Sequence, residues 1–308
     1  MPSVDLMPPY VSVVMCTRDR PEGIEQAVIS VLASNYPAFD LTVIDQSTTT
    51  ATETILQPIA QRDQRLHYVR SQEPGLSRAY NTGIAHTSGD LLAFTDDDCA
   101  VAPQWLRTIV DAFEEDEEAD LLYGQVLPPD ATATGEGITP ALSIPRLERF
   151  SRRDGFRVCG MGANFAARRR LFLTIGGFDE MLGGGAPLRS SQDFDLAYRT
   201  YLAGRAILLR PEIQVIHYGT RAPQAWPATL RAYGIGDGAF YFKHVRCRDF
   251  FALRLLVRQI VLMSARALLH RLRRQGPGDW TYVRFVLVGI RECLRFSVDR
   301  HSRLYIAP

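Results

Sequence analysis

Short β-branched runs alternate with helix-period segments over the first 125 residues, and this restricts the chain more than any other feature, because strands separated by helices build parallel βαβ units. Residues 11–16, 41–45, 66–69, 91–95 and 120–124 read as strands. Residues 22–34, 52–62, 77–86 and 103–115 read as helices, with Pro103 opening the last. The order predicts an α/β fold with a doubly wound, mostly parallel, Rossmann-like sheet. Ligands of such sheets gather beyond the carboxyl ends of the strands, here residues 17–20, 45–47 and 96–98.

Periodicity weakens over residues 127–158, which are rich in Pro, Gly, Thr and Arg and read as a long connection. A strand over 161–167, a short helix over 168–175, a longer helix over 190–203 closed by Gly204, and two strands over 206–209 and 213–216 follow. Beyond Pro223 the pattern is wholly helical, with major pieces at 250–274 and 280–296 separated by Gly276-Pro277-Gly278. The expected division is a catalytic domain over 1–222, with halves at about 10–125 and 126–222, and a basic amphipathic helical extension over 223–308.

Charge separates along the same line. From Lys243 onward there are 14 Lys/Arg against 4 Asp/Glu, and before it 21 against 30, so a tail of net +10 follows a body of net −9. Such a tail suits an anionic partner. The 46% hydrophobic content excludes a disordered chain. Cys16, Cys99, Cys159, Cys247 and Cys293 are scattered without CxxC spacing, which argues against a disulfide framework or a zinc site. The N-terminus lacks a basic segment followed by an apolar run, and arginines interrupt every apolar stretch of the tail. Neither a secretory signal nor a spanning helix is expected, and the cytoplasm is the expected location.

Leu91-Leu92-Ala93-Phe94-Thr95-Asp96-Asp97-Asp98 sets adjacent carboxylates where an apolar strand ends. Like charges so close are costly unless a cation shares them, and a hard divalent ion, Mg2+ or Mn2+, takes oxygen ligands of this kind. A solvated acidic turn or an N-cap before Pro103 is the structural alternative; the position after a buried strand favours the ion.

The triplet stands in an ordered series. Before it come Val11-Ser12-Val13-Val14-Met15-Cys16-Thr17-Arg18-Asp19-Arg20-Pro21, Thr42-Val43-Ile44-Asp45-Gln46-Ser47 and Gly75-Leu76-Ser77-Arg78-Ala79-Tyr80-Asn81-Thr82-Gly83. After it come Gly176-Gly177-Phe178-Asp179-Glu180 and Gln192-Asp193-Phe194-Asp195-Leu196. Over about residues 10–220 the chain resembles glycosyltransferase family 2, the inverting enzymes of GT-A fold. The resemblance implies a hexosyltransferase-type enzyme that passes a sugar from a nucleotide-diphosphate sugar to an acceptor hydroxyl, in cell-surface polysaccharide or glycolipid synthesis. The segment over 126–222 would then shape the acceptor side.

Roles follow from it position by position. The loop after the first strand touches the nucleoside in this family, which assigns Thr17 and Arg18. Asp45 matches the carboxylate that accepts a base N–H, which makes a UDP- or dTDP-sugar the expected donor; by itself it also reads as a turn cap. Arg78 and Asn81 match a phosphate-neutralising guanidinium and an orienting amide, or separately an exposed face and a turn residue. Asp96 and Asp97 fall to the donor, Asp98 and Asp96 to the metal, with the order of contact open. Asp193, near a helix start, matches the base that takes the acceptor proton. The family usually has Glu before it, where this chain has Gln192. Asp195 reads as structural, paired with Arg199 one turn on. His217, ending a strand, is a candidate for the metal shell or the diphosphate, with a structural role as the alternative. Gly183-Gly184-Gly185 reads as a mobile loop rather than a phosphate cradle.

In the tail, Arg254, Arg258 and Arg266, and again Arg284, Arg291 and Arg295, flank apolar residues, as in a helix lying on an anionic membrane surface. That would place the enzyme peripherally on the inner face of the cell membrane, near a glycan or lipid-linked acceptor. Packing onto protein is the rival, and no nucleic-acid-binding module is present. Two other functions fit less well. A noncatalytic sugar-nucleotide-binding or scaffold protein draws slight support from Gln192. A nucleotidyltransferase would ordinarily carry a glycine-rich loop after the first strand, and residues 16–21 contain no glycine.

Overall fold

The computed structural model describes residues 8–129, 138–157, 159–273 and 280–307. The chain begins β1 (Val11–Thr17), α1 (Pro21–Leu32), β2 (Phe39–Asp45), α2 (Ala51–Arg62), β3 (Leu66–Arg70), α3 (Leu76–Ala85), β4 (Leu91–Asp96), β5 (Cys99–Val101) and α4 (Trp105–Glu115). It continues β6 (Ala119–Leu127), β7 (Glu148–Phe150), β8 (Asn164–Arg168), α5 (Arg169–Ile175), α6 (Gln192–Leu202) and β9 (Ala206–His217). The last elements are α7 (Trp226–Arg246), α8 (Phe250–Leu272), α9 (Trp280–Glu292), β10 (Ser297–Val298) and β11 (Tyr305–Ile306).

Among the described residues a nine-stranded sheet runs β3-β2-β1-β4-β8-β6-β9-β5, with β7 on β9. Strands β1 to β4 pair in parallel, as do β6 and β9, and β8 enters antiparallel between β4 and β6. The mixed, mostly parallel α/β sheet matches the expected class. Every residue of β1 and β2 is buried, polar Ser12, Asp40, Thr42 and Asp45 included, as strands inside a sheet covered on both faces require. Because β2 and β4 flank β1, the chain order reverses there, the point at whose carboxyl ends the ligands of such sheets gather. Beneath it, Phe94 and Phe165 stack at 4.3 Å with Tyr80 edge-on at 5.3 Å from Phe94.

The chain divides into two compact units. The first comprises Met1–Glu73, Ala79–Gly177 and Thr200–Thr220, the second Pro74–Arg78, Phe178–Arg199 and Arg221–Pro308. This cuts across the expected split at residue 222, because 178–199 belong with the C-terminal helices. In the second unit α7 and α9 approach closely through glycines. A Cβ on Gly238 would stand 2.1 Å from the Val286 carbonyl oxygen, and one on Gly289 equally close to that of Ile235. Met181, Leu182, Leu188, Ala239, Cys293 and Tyr305 form a buried cluster in this unit.

Several local expectations change. The two strands expected over 206–209 and 213–216 are one strand, β9, with a register shift opposite Gly124 and Gln125. Pro211 lies at this irregularity, and the side chain of Gln125 donates to its carbonyl at 2.6 Å. Buried Asn164 donates to the Gln125 and Ile213 carbonyls and accepts from Trp105 Nε1, so one amide ties β6, β8, β9 and α4 where the ladder is broken. Helix α4 starts at Trp105 rather than Pro103, whose carbonyl instead accepts from Asn35 N at 2.9 Å. The strand expected from 161 starts at Asn164. The tail is not wholly helical, since β10 and β11 pair antiparallel. Gly276-Pro277-Gly278 lies outside the described residues. No helix among those described is long and apolar enough to cross a membrane.

Candidate active site

In the first unit the carboxyl ends of β1, β2 and β4 present the expected residues side by side, because the parallel register pairs Thr17 with Asp45 and Cys16 with Asp96. After Asp96 the chain turns through Asp97 and Asp98 into β5, which pairs antiparallel with β9 and sets Cys99 opposite His217. The Asp98 carbonyl accepts Tyr218 N at 2.8 Å, which fixes the turn against the end of β9.

Ligand atoms of Asp96, Asp98, Cys99 and His217 lie within 4.8 Å of one another. His217 Nε2 stands 3.4 Å from Asp98 Oδ1, a buried oxygen that accepts no hydrogen bond. Leaving a carboxylate oxygen so placed is costly in protein alone and suits a cation ligand. Burial raises the Cys99 thiol well above its ordinary value, so it stays protonated and leaves a hard ion to the carboxylates and imidazole. The donor set therefore fits Mg2+ or Mn2+.

Arg20 holds the other side of the cluster. Its Nη1 donates to Asp98 Oδ2 at 2.9 Å and its Nη2 to Asp97 Oδ1. Asp97 is buried, and that burial pushes its carboxyl up to about 6 against the pull of Arg20. Gly219 leaves the space that Asp98 occupies: a Cβ there would stand 2.2 Å from Asp98 Oδ2 and 3.0 Å from His217 Cε1.

At the nucleoside end, Thr17 is buried and Arg18 is exposed, its Nε 3.7 Å from Asp19 Oδ2. Asp45 is fully buried. Its Oδ1 accepts Ser47 N at 2.7 Å and its Oδ2 accepts the Tyr68 hydroxyl at 2.7 Å, so the turn-capping role left open by the sequence is the one displayed. Asn81, on α3, fills space left by Gly177, where a Cβ would meet its Oδ1 at 2.4 Å.

The second unit holds the remaining candidates. Arg78 Nε donates to Glu180 Oε2 at 3.2 Å. Asp193 sits half-buried in the first turn of α6, where the helix dipole favours an anion, and accepts Phe194 N at 2.9 Å. Asp195 is bound to Arg199 as expected, and also to Lys243 Nζ at 2.6 Å and His244 Nε2 at 3.0 Å. Lys243 Nζ donates equally closely to Asp179 Oδ2, so two carboxylates and two cations balance where all four side chains are buried. In the glycine loop, Gly183 N donates to Ser190 O, and Gly184 O accepts Leu76 N.

Arg20, Tyr68, Cys99, Gly219 and Lys243 are neighbours of these groups that the sequence reading did not assign. Arg20, in the block over 11–21, carried the only sequence signal, a cation just past a strand end. The others depend on pairing across strands or helices distant in sequence.

Comparison with known proteins agrees with this architecture. A family model described as glycosyl transferase family 2 matches residues 12–176. The chain is 26% identical over 191 residues to a glucosyl-dolichyl phosphate glucuronosyltransferase of Haloferax volcanii, a match covering 56% of this chain and 57% of that protein, so it spans little more than half of that relative. Among solved structures it is similar to the mannosyltransferase PcManGT from Pyrobaculum calidifontis in complex with GDP-Man and Mn2+. There the TM-score is 0.63 at 17% identity, over 93% of this chain and 87% of that one. It is also similar to S. aureus TarS 1-349 in complex with UDP-GlcNAc, with a TM-score of 0.55 at 17% identity over 74% and 66% of the two chains. These structural likenesses concern the fold, which is of GT-A type. With its family model matched over more than half its length, and the acidic turn closing β4 of that fold, the chain belongs to glycosyl transferase family 2.

Proposed function

We propose that the protein is an inverting transferase that moves a sugar from a nucleoside-diphosphate sugar to an acceptor hydroxyl, with a divalent cation at Asp98, Asp96 and His217. The observation that carries this reading is the buried Asp98 Oδ1, without a hydrogen bond and 3.4 Å from His217 Nε2. When bound, the cation would neutralise charge on the departing diphosphate. It is supported by the Mn2+ and GDP-Man held by PcManGT.

The chain's own residues divide the remaining work. Thr17 and Arg18 meet the nucleoside, and Asp97 joins Asp96 on the donor. Asp45 accepts a uracil or thymine N–H once the Tyr68 hydroxyl yields Oδ2. Arg78 and Asn81 bind and orient the phosphates. Asp193 takes the acceptor proton onto its carboxylate as the acceptor oxygen attacks the anomeric carbon, opposite the leaving group. A lipid-linked or glycan acceptor is supported by the dolichyl-phosphate chemistry in the relative's name. Peripheral attachment to the inner face of the cell membrane through the arginine-flanked C-terminal helices would bring the enzyme to it.

A ligand bound only by the folded state raises its melting temperature. Nucleoside diphosphates should stabilise the protein in the presence of Mn2+ and not in its absence, and Asp98→Asn should remove the effect. Equal stabilisation of both proteins would reject the reading.

A further inference from the structure

Asp193 is held from two sides. Two residues before it, Ser191 Oγ donates to Asp237 Oδ1 of α7 at 2.6 Å. Two residues after it, Asp195 receives Lys243 and His244, also of α7. Asp237 is buried and also accepts the hydroxyl of Tyr282 on α9, which in turn accepts Gln259 of α8 at 3.0 Å. The approach is close because residue 236 has no side chain: a Cβ there would stand 2.1 Å from Ser190 Oγ. The anchored segment is strained, with Arg189 at φ 71° and Ser191 at φ 70°, conformations that persist only where the surroundings enforce them.

We propose that α7 is the positioning helix of the base, with Asp237 and Lys243 as positioning residues that fix the start of α6 and thereby the carboxylate of Asp193. This rests on Asp193 being the base. The C-terminal segment is then part of the catalytic apparatus. Lys243 carries the link further, because the Asp179 oxygen it holds also accepts Tyr305 N of β11 at 2.9 Å.

The test uses the full chain and a kinetic cycle. Ser191→Ala and Asp237→Asn change few atoms. They should keep the circular dichroism spectrum and the Mn2+-dependent affinity for nucleoside diphosphate, while kcat falls about tenfold or more with donor KM unchanged. In an Asp193→Asn background the same substitutions should cost nothing further, because their effect runs through the lost carboxylate. Lys243→Arg should restore activity lost in Lys243→Met; if Lys243→Met does not fold, Ser191→Ala and Asp237→Asn decide the matter. Wild-type kcat in Ser191→Ala and Asp237→Asn, or full additivity with Asp193→Asn, would overturn the proposal. An Asp193→Asn protein that keeps its wild-type rate would instead overturn the base assignment.

Discussion

A single missing methyl group defines the space around Asp98. An alanine at position 219 would force its Cβ against the carboxylate, and that carboxylate is pinned by Arg20 and faces His217. Gly219→Ala should therefore weaken cation-dependent nucleotide binding about tenfold or more while the protein stays folded, since overpacking costs about 1–3 kcal/mol. Calorimetric titration with and without Mn2+ reads this, and an unchanged affinity would mean that Asp98 does not face the ion. At the same scale, burial holds the His244 imidazole down to about 4, against its bond to Asp195. Its unfolded form takes a proton near 6.5, so the stability it contributes is complete above that pH and is lost as pH falls toward 4, up to about 3 kcal/mol. Asp97, raised to about 6 by burial, acts in the opposite sense, since its protonation favours the folded state as pH falls through that value. The comparison with His244→Gln isolates the histidine: the stability difference between the two proteins in urea should shift against the wild type between pH 7 and pH 4. A constant difference would show that His244 does not resist protonation. The positions of Asp45, Asp98 and Asp193 at strand ends and a helix start were legible because such boundaries can be read locally, whereas their proposed roles came from the family resemblance. The Tyr68 hydroxyl covering Asp45 was not legible, because it comes from the neighbouring strand β3.

Among the described elements, α8 carries a run of exposed apolar side chains along its outer face. Phe250, Leu253, Val257, Val261, Leu268 and Leu272 are exposed, and Arg254, Arg258 and Arg266 are exposed beside them. Residues 250–296 contain nine arginines and two acidic residues, which suits an anionic lipid surface. Wild-type protein should sediment with phosphatidylglycerol vesicles and be released by salt. Val257→Asp with Val261→Asp should abolish sedimentation without altering the melting temperature. Protein that stays in the supernatant would reject membrane contact. Point substitutions are the proper test, because deleting the tail would remove Lys243, Cys293 and Tyr305 from the interior of the second unit. The amphipathic pieces at 250–274 and 280–296 were visible in the sequence. Helix α7 was not singled out, since its inner face carries Gly234, Gly236, Asp237, Gly238 and Lys243, types that read as exposed until their partners are known.

At the scale of the molecule, the two units separate what the sequence could announce from what it could not. The sheet of the first unit follows from alternation and from runs buried on both faces, and its ligand end follows from topology. The second unit is assembled from segments far apart in the chain. Its defining contacts join Asp179 to Lys243 and to Tyr305, and Ser191 to Asp237, and no local pattern encodes such pairs. In the first unit, the turn closing β4 is proposed to hold an ion that in turn holds a diphosphate. Crystals soaked with Mn2+ and a nucleoside diphosphate would test it by anomalous scattering. A peak beside Asp98 and His217, with the phosphate next to it, is expected; phosphate bound elsewhere, with no peak at that turn, would rule out a cation-held diphosphate there.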